Sequence, residues 1–266
     1  MNILDKIVEH KHKEIAKRKI QYPIELLEQS IYFDSETFSL KEYIIREDKS
    51  GIIAEFKRKS PSKGLINELA DVEQVTTGYV QAGVSALSVL TDSKFFGGSY
   101  NDLAEARKHN NCPILRKDFI IDEYQIIGAK SIGADAILLI AAILDKAQVK
   151  RLSEFAHSLQ LEVLLEVHNK KELNVLNKNI DLVGVNNRNL KDFSVDINTS
   201  IQLSGLIPDE FVKVSESGIS KPESILKLRK HGYQGFLIGE NFMKTKTPGI
   251  ACKNFIKKLT SLSKKQ

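Results

Sequence analysis

"IIAEFKRKSPSKGLINELADVEQVTTGYVQAGVSALSVL", residues 52–90, holds two β-rich runs with one helical pattern between them. The first run, 52–57, is apolar until it reaches Glu55 and Lys57, and the chain then breaks at Ser60-Pro61. Leu69, Val72, Val75, Tyr79 and Ala82 follow at spacings of three or four, the period of one helix face, and Gly83 supplies a C-terminal stop. The second run is 86–90. Strand, helix, strand in this order predicts parallel pairing through a crossover helix.

The unit recurs. Further strands are read at 112–116, 135–140, 161–166, 181–186, 211–215 and 234–238, which makes eight. Segment 122–133 stops at Gly133; segment 220–232 opens on Ser220 with Glu223 three residues on and closes at Gly232; Asn169 and Glu172 repeat that opening. Several strands are almost continuously apolar, as expected of a sheet covered by helices. Eight such units fit a closed (β/α)8 TIM barrel, in the α/β class, better than an open doubly wound sheet. No Gly-x-Gly-x-x-Gly follows the first strand, which weakens a dinucleotide-binding reading. Residues 1–50 are read as an N-terminal helical extension, beginning with "ILDKIVEHKHKEIAKRK", and 51–266 as the barrel, one domain overall.

Composition sets the class. The 266 residues are 42% hydrophobic and 27% charged, the profile of a folded chain, and a barrel of about 250 residues needs no second domain. No apolar stretch approaches the roughly 20 residues of a membrane span, and the charged N-terminus lacks the core of a signal peptide, so a cytoplasmic protein without a membrane partner is expected. Cys112 and Cys252 stand apart from each other and from any ligand cluster, which argues against a disulfide scaffold or structural zinc. The net charge of +5 rests partly on lysines from Lys6 to Lys19 and from Lys253 to Lys265, read as a solvated face. Without a basic stripe interleaved with aromatics, no nucleic-acid partner is expected. His10 and His12 are read as solvated and His168 as loop packing, with no metal site.

In a parallel barrel the active site forms at the C-terminal strand ends. There the sequence places Glu55 and Lys57, Lys117 within Arg116-Lys117-Asp118, Glu166, and Asn186 with Asn187 and Arg188 beyond it. Alternation puts Glu55 and Lys57 in phase with Ile53, Lys117 with Leu115, and Glu166 with Leu164. A single Glu-x-Lys at a strand end is ordinary; two lysines, two glutamates and an asparagine at equivalent ends of four strands are a cluster. "SESGIS" (215–220) and "IGE" (238–240) occupy the seventh and eighth loops, where barrels often hold phosphate, and Gly218 and Gly239 would let backbone approach an anion. "ENFMKT" after Gly239 supplies a short helix.

The segments "IAEFKRKSPSKG", "SVLTDSKFFGGSYNDL", "ILRKDFIIDEYQI", "LLEVH", "GVNNRNL", "VSESGIS" and "FLIGENFM" run in order from residue 53 to 243 and resemble the signature segments of indole-3-glycerol phosphate synthase. The first three are the most specific. The resemblance implies ring closure of 1-(2-carboxyphenylamino)-1-deoxyribulose 5-phosphate, with loss of carbon dioxide and water, in tryptophan biosynthesis. It implies catalytic roles for Glu55, Lys57, Lys117, Glu166, Asn186 and Ser217. Phosphate contacts would fall on Ser60, Gly218, Gly239 and Glu240, with Arg188 nearby. No metal or organic cofactor is implied; the partner is a phosphorylated small molecule, and the chain is expected to act as a monomer or weak homodimer. Ser215 is expected to tolerate variation.

That chemistry needs a proton for the ketone oxygen, and Lys117 is the candidate donor, with a pKa expected to be lowered by desolvation or by Lys57 while the glutamates pull it back up. Phe95 and Phe96, or Leu139, are candidates to receive the aromatic ring. Other phosphate-binding barrels, such as phosphoribosylanthranilate isomerase or the tryptophan synthase α subunit, would share the fold and phosphate loops but not the Glu-x-Lys with Lys117 and Glu166. A non-catalytic metabolite sensor would have no need of two acids and two ammonium groups around one cavity.

Overall fold

The computed structural model describes residues 3–190 and 192–264; Met1, Asn2, Lys191, Lys265 and Gln266 lie outside the described residues. Eight strands form one closed barrel: β1 (Ile52–Phe56), β2 (Ala86–Leu90), β3 (Ile114–Lys117), β4 (Ala136–Ile140), β5 (Glu162–Val167), β6 (Leu182–Asn186), β7 (Val212–Glu216) and β8 (Tyr233–Ile238). Each pairs in parallel with the next in sequence, and β8 closes onto β1.

The strands are apolar on both faces because both are buried. Ile53, Leu115, Ala136, Leu138, Ile140, Leu164, Leu182, Val212, Val214 and Leu237 fill the interior. Ile52, Ala54, Phe56, Ile137, Leu139, Val163, Leu165, Val183 and Val185 join the layer under the helices. Two steps beyond an interior apolar residue, the same phase delivers a polar one: Glu55 after Ile53, Lys117 after Leu115, Glu166 after Leu164 and Glu216 after Val214. The apolar plug is therefore capped by charge at one end.

Helix ends depart from expectation in two places. The helix between β1 and β2 spans Val72–Gln81, capped by the Asp71 side chain accepting from Gln74 N–H, and Leu69 lies outside it, 92% exposed. The helix read as opening on Ser220 spans Pro222–Arg229 with Lys221 at its cap and no side-chain capping bond. Proline at the first position presets the helical φ without a capping side chain. Asn169 caps as expected, but it opens a 3-10 helix, Lys170–Val175.

The segment before β1 touches both barrel ends. Helix α1 (Ile3–Gln21) brings Ile3, Leu4 and Ile7 over the mouth. At the opposite end the helix Leu40–Ile45 inserts Leu40 and Ile44 into the interior cluster. Ser39 Oγ and the Lys41 N–H both donate to the Glu162 carboxylate, at 2.5 and 2.8 Å. The N-terminal lysines are not uniformly solvated: Lys11 is fully buried, on the Ile7-Lys11-Ile15 face of α1, ion-paired with Asp118 at 2.8 Å and Asp92 at 3.0 Å. His10 is half-buried, its ring edge-on to Phe95, while His12 is exposed.

Candidate active site

The charged strand ends surround a cavity of about 580 Å³, and all eleven residues singled out from the sequence line it: Glu55, Lys57, Ser60, Lys117, Glu166, Asn186, Arg188, Ser217, Gly218, Gly239 and Glu240. They fall into two groups.

At the floor, Lys117 Nζ lies 3.0 Å from Glu166 Oε2 and 3.3 Å from Glu216 Oε2. Beside it, Lys57 Nζ donates to Glu55 Oε1 at 2.5 Å. Two ammonium groups and three carboxylates thus share one enclosed space. Burial works against the Lys117 charge, but Glu166, Glu216 and Glu55 outweigh it and hold its pKa above the usual lysine range. This corrects the expectation of a lowered value, because the acids around Lys117 outnumber its cationic neighbours. Burial also disfavours the Glu166 anion, yet Lys117 and His168 hold this carboxyl well below its usual range. Glu216 goes the other way: burial, with Glu166 and Glu55 nearby, pushes it up to about 7 against the pull of Lys117. Two carboxylates competing for one cation separate in this manner.

Glu216 was not singled out from the sequence. Reading β7 as ending at Ser215 made Glu216 a loop residue, whereas the strand continues and sets Glu216 opposite Asn186. The phase Val212, Val214, Glu216 could have found it. His168 was also set aside, yet its Nε2 lies 3.4 Å from Glu166 Oε1.

Ser217 and Gly218 both have left-handed backbones, φ +66° and +76°. For serine that conformation costs of the order of 1–3 kcal/mol, so the surrounding structure must hold it. Asn187 does so: its Nδ2 donates to Glu216 O at 3.0 Å and Ser217 O at 3.1 Å, and its Oδ1 accepts from Ser200 N–H and Oγ. The same Nδ2 reaches Ser215 Oγ at 3.0 Å, and Ser215 is fully buried. The expected tolerance of Ser215 is therefore corrected: a larger side chain would disturb the bonds that shape the turn.

The second group rings the rim. Ser60 sits on the hairpin following β1, and Arg188 Nη2 lies 3.5 Å from Glu240 Oε2. The short helix Glu240–Met243 starts at Gly239, and the Phe242 and Met243 N–H groups both donate to the Gly239 carbonyl, leaving the Glu240 and Asn241 N–H groups without an acceptor inside the helix. A side chain at Gly239 would meet Glu55, whose Cβ is 3.0 Å from the position of an added Cβ. Lys63, Lys244 and the Ser217-Gly218 turn complete this side of the cavity. Cationic side chains and free N–H groups together suit an anion.

Between the two groups the walls are apolar: Phe96, Phe119, Leu138, Ile140 and Leu237, under Ile7 of α1. Phe96 and Phe119 stand 5.8 Å apart between ring centroids. Of the candidates for an aromatic slot, Phe96 lines the cavity; Leu139 faces the helices, and Phe95 packs on His10. Among the described residues, the His/Asp/Glu group close enough to share an ion is Glu73, Glu105 and His109, on two outer helices and away from this lining. Its members already pair with one another, His109 with Glu105 at 2.8 Å and with Glu73 at 3.5 Å.

The family model for indole-3-glycerol phosphate synthase matches residues 4–258. A Bacteroides thetaiotaomicron protein of that name is 51% identical over 256 residues, covering 96% of this chain and 98% of its own. Bordetella pertussis and Acinetobacter baylyi proteins of the same name are 44% and 42% identical, each over 94% of this chain and over 97% and 93% of their own. A solved structure of the tryptophan synthase a2b2 complex from Pyrococcus furiosus contains a chain that superposes with a TM-score of 0.58 at 15% identity, over 80% of this chain and 99% of that one, which speaks to the barrel fold alone.

Proposed function

The chain belongs to the indole-3-glycerol phosphate synthase family, and from that premise we propose how its residues divide the reaction. It is a carboxy-lyase of tryptophan biosynthesis, closing the pyrrole ring of 1-(2-carboxyphenylamino)-1-deoxyribulose 5-phosphate to give indole-3-glycerol phosphate. Its substrate is a phosphorylated small molecule. The observation that carries the assignment of roles is the placement of Lys117 Nζ within 3.3 Å of both Glu166 and Glu216 on the cavity floor.

Ring closure begins when the aromatic carbon bearing the carboxylate attacks the ketone carbon and charge develops on the ketone oxygen. Lys117, kept charged by its carboxylates, donates the proton. An alkoxide is far more basic than an amine, so the transfer runs downhill even from a lysine of raised pKa. Departure of carbon dioxide restores the aromatic ring. The hydroxyl formed from the ketone then leaves as water, which requires a proton for the oxygen and removal of one from the neighbouring carbon. Glu166 accepts the carbon-bound proton, while Lys57, aligned by Glu55, serves the departing hydroxyl; Asn186 positions the sugar hydroxyls. The aromatic ring lies between Phe96 and Phe119.

Phosphate binds at the rim, to Ser60 Oγ, Arg188, and the backbone of Gly218, Gly239 and Glu240. The Glu240 carboxylate, itself an anion, holds Arg188 in place and contributes to phosphate through its N–H. Anchoring the remote phosphate holds the reacting carbons in attack geometry. Residues 1–50 and 51–266 work as one unit in this reading, in the cytoplasm and as a monomer or weak homodimer; no helix among the described residues is long and apolar enough to cross a membrane. The test is indole fluorescence developing when purified protein meets the carboxyphenylamino substrate, with Lys117→Ala and Glu166→Gln as controls. Turnover by Lys117→Ala at the wild-type rate would remove Lys117 from the donor role.

A further inference from the structure

One proton is consumed per turnover, because a carboxylate enters and leaves as neutral carbon dioxide while the phosphate is unchanged. Lys117 and Lys57 each give up a proton in the scheme above and only one returns from carbon, so a proton must enter from water. The floor where it is needed is buried: Glu166 and Glu216 are 3% and 1% exposed.

We propose that His168, held by Glu172, is the relay residue that carries this proton from the protein exterior to Glu166 and on to Lys117. The two oxygens of Glu166 face opposite partners, Oε2 towards Lys117 at 3.0 Å and Oε1 towards His168 Nε2 at 3.4 Å. His168 Nε2 is buried and has no hydrogen-bond partner. Its other ring nitrogen, Nδ1, lies 3.2 Å from Glu172 Oε2, which also accepts the His168 backbone N–H at 2.7 Å. Glu172 Oε1 is in turn held by Asn169 Nδ2 at 2.5 Å. Glu172 therefore fixes the ring with its proton on Nδ1 and leaves Nε2 as the exchanging atom, aimed at the site. The groups facing the imidazole, Glu166 on β5, Glu172 on the following 3-10 helix and Glu216 on β7, are all acidic; burial opposes the imidazolium, but the Glu172 bond and these charges raise its pKa above the ordinary 6.5.

The steps balance without a further reactant. After Lys117 has protonated the ketone oxygen, the imidazolium Nε2–H bond breaks and an O–H bond forms on Glu166 Oε1. The carboxyl group turns about Cγ–Cδ and transfers that proton to the Lys117 amine, regenerating ammonium and carboxylate. Nε2 is shielded from water where it faces Glu166, so the ring, whose side chain is 12% exposed, turns outward to take up a proton from water and returns. The Nε2–Oε1 separation is longer than a finished hydrogen bond, as acid–base contacts often are before substrate closes the site.

This inference rests on Glu166 acting in proton transfer, and the experiment separates the two claims. Turnover is followed by indole fluorescence for wild type, His168→Gln, His168→Ala, Glu172→Gln and Glu166→Gln from about pH 6 to pH 9. The relay predicts a fall in kcat of at least about tenfold in both His168 variants, below the loss for a direct acid–base group, with KM within about twofold. Added imidazole should restore His168→Ala in a concentration-dependent way, and the alkaline limb of the kcat profile should disappear in His168→Gln. Should a His168 variant fail to fold by circular dichroism, Glu172→Gln, which keeps the ring, must still lower kcat and shift that limb to lower pH. Wild-type kcat in His168→Gln and Glu172→Gln beside an inactive Glu166→Gln overturns the relay alone. An active Glu166→Gln overturns the role of Glu166 and the relay with it.

Discussion

Lys117 Nζ lies 3.3 Å from Glu216 Oε2, while the other oxygen of Glu216, Oε1, is buried without a hydrogen-bond partner. A carboxylate half served in this manner is costly to ionise, which is why its pKa rises to about 7 from the ordinary 4.5. Between those two values the folded protein holds a proton that the unfolded chain has lost. The contribution to stability is thus fully present below about 4.5 and is lost as pH rises through about 7. Glu216→Gln removes this dependence. Its stability in urea should match wild type near pH 5 and exceed it near pH 8 by an amount of the order of 3 kcal/mol. A difference independent of pH would contradict the assignment.

Replacing Lys117 by methionine leaves Glu166 and Glu216 facing each other without the cation between them. Both carboxyls should then take up protons at neutral pH, and the donor to the ketone oxygen is gone. The expected loss is about 10²–10⁴ in kcat, with a smaller change in KM because the rim proposed to hold phosphate is untouched. Lys117→Arg should not restore turnover, since a planar guanidinium presents its donors in a fixed fork and does not place a proton where the compact ammonium did. Steady-state indole fluorescence checks both variants.

The barrel was legible because each strand is short, apolar on two faces and followed by a helix, so period and order alone carried it. Glu55, Lys117 and Glu166 were legible for a related reason: each stands two residues past an interior apolar position. Glu216 obeys the same rule after Val214 and was lost only through an early strand end, one residue short at Ser215. Lys11 was hidden differently. It shares the buried stripe of Ile7 and Ile15, but helix periodicity does not show that Asp92 and Asp118, more than eighty residues away in sequence, form the socket that receives it. The raised pKa of Lys117 was invisible as well, because it depends on how many carboxylates three other strands bring to it.

Lys11 joins α1 to the loops that present Phe96 and Phe119. Asp92 Oδ1 accepts from the Phe95 and Phe96 N–H groups, and Asp118 Oδ1 accepts from the Phe119 N–H, while Lys11 bridges the two acids. Burial opposes the Lys11 charge, but Asp118, Asp92 and Glu14 outweigh it and raise its pKa. Lys11→Met leaves two buried carboxylates short of a partner, which should destabilise the protein by about 3–5 kcal/mol. The loss should be seen first as faster tryptic release of the α1 segment, and then as a higher KM as Ile3, Leu4 and Ile7 leave the cavity wall. A melting temperature and cleavage pattern equal to wild type would refute the bridge.

Gly218 tests the rim independently of the floor. Its φ of +76° is left-handed, and an added Cβ would stand 2.5 Å from Val195 Cγ1. Val195 pairs with Arg188 in an isolated antiparallel bridge, so a methyl group at 218 pushes on the strand that carries the guanidinium as well as straining its own turn. Two of the proposed phosphate contacts would move together. Charge-assisted hydrogen bonds are worth about 1.5–3 kcal/mol, so KM for substrate should rise about ten- to a hundredfold in Gly218→Ala, and inhibition by inorganic phosphate should weaken in parallel. Because the remote phosphate also orients the reacting carbons, kcat falls by a smaller factor. Adding Val195→Ala should recover part of the affinity by giving the methyl group room, which a general loss of folding would not permit. A Gly218→Ala enzyme with unchanged KM and phosphate inhibition but reduced kcat would move the phosphate away from this turn.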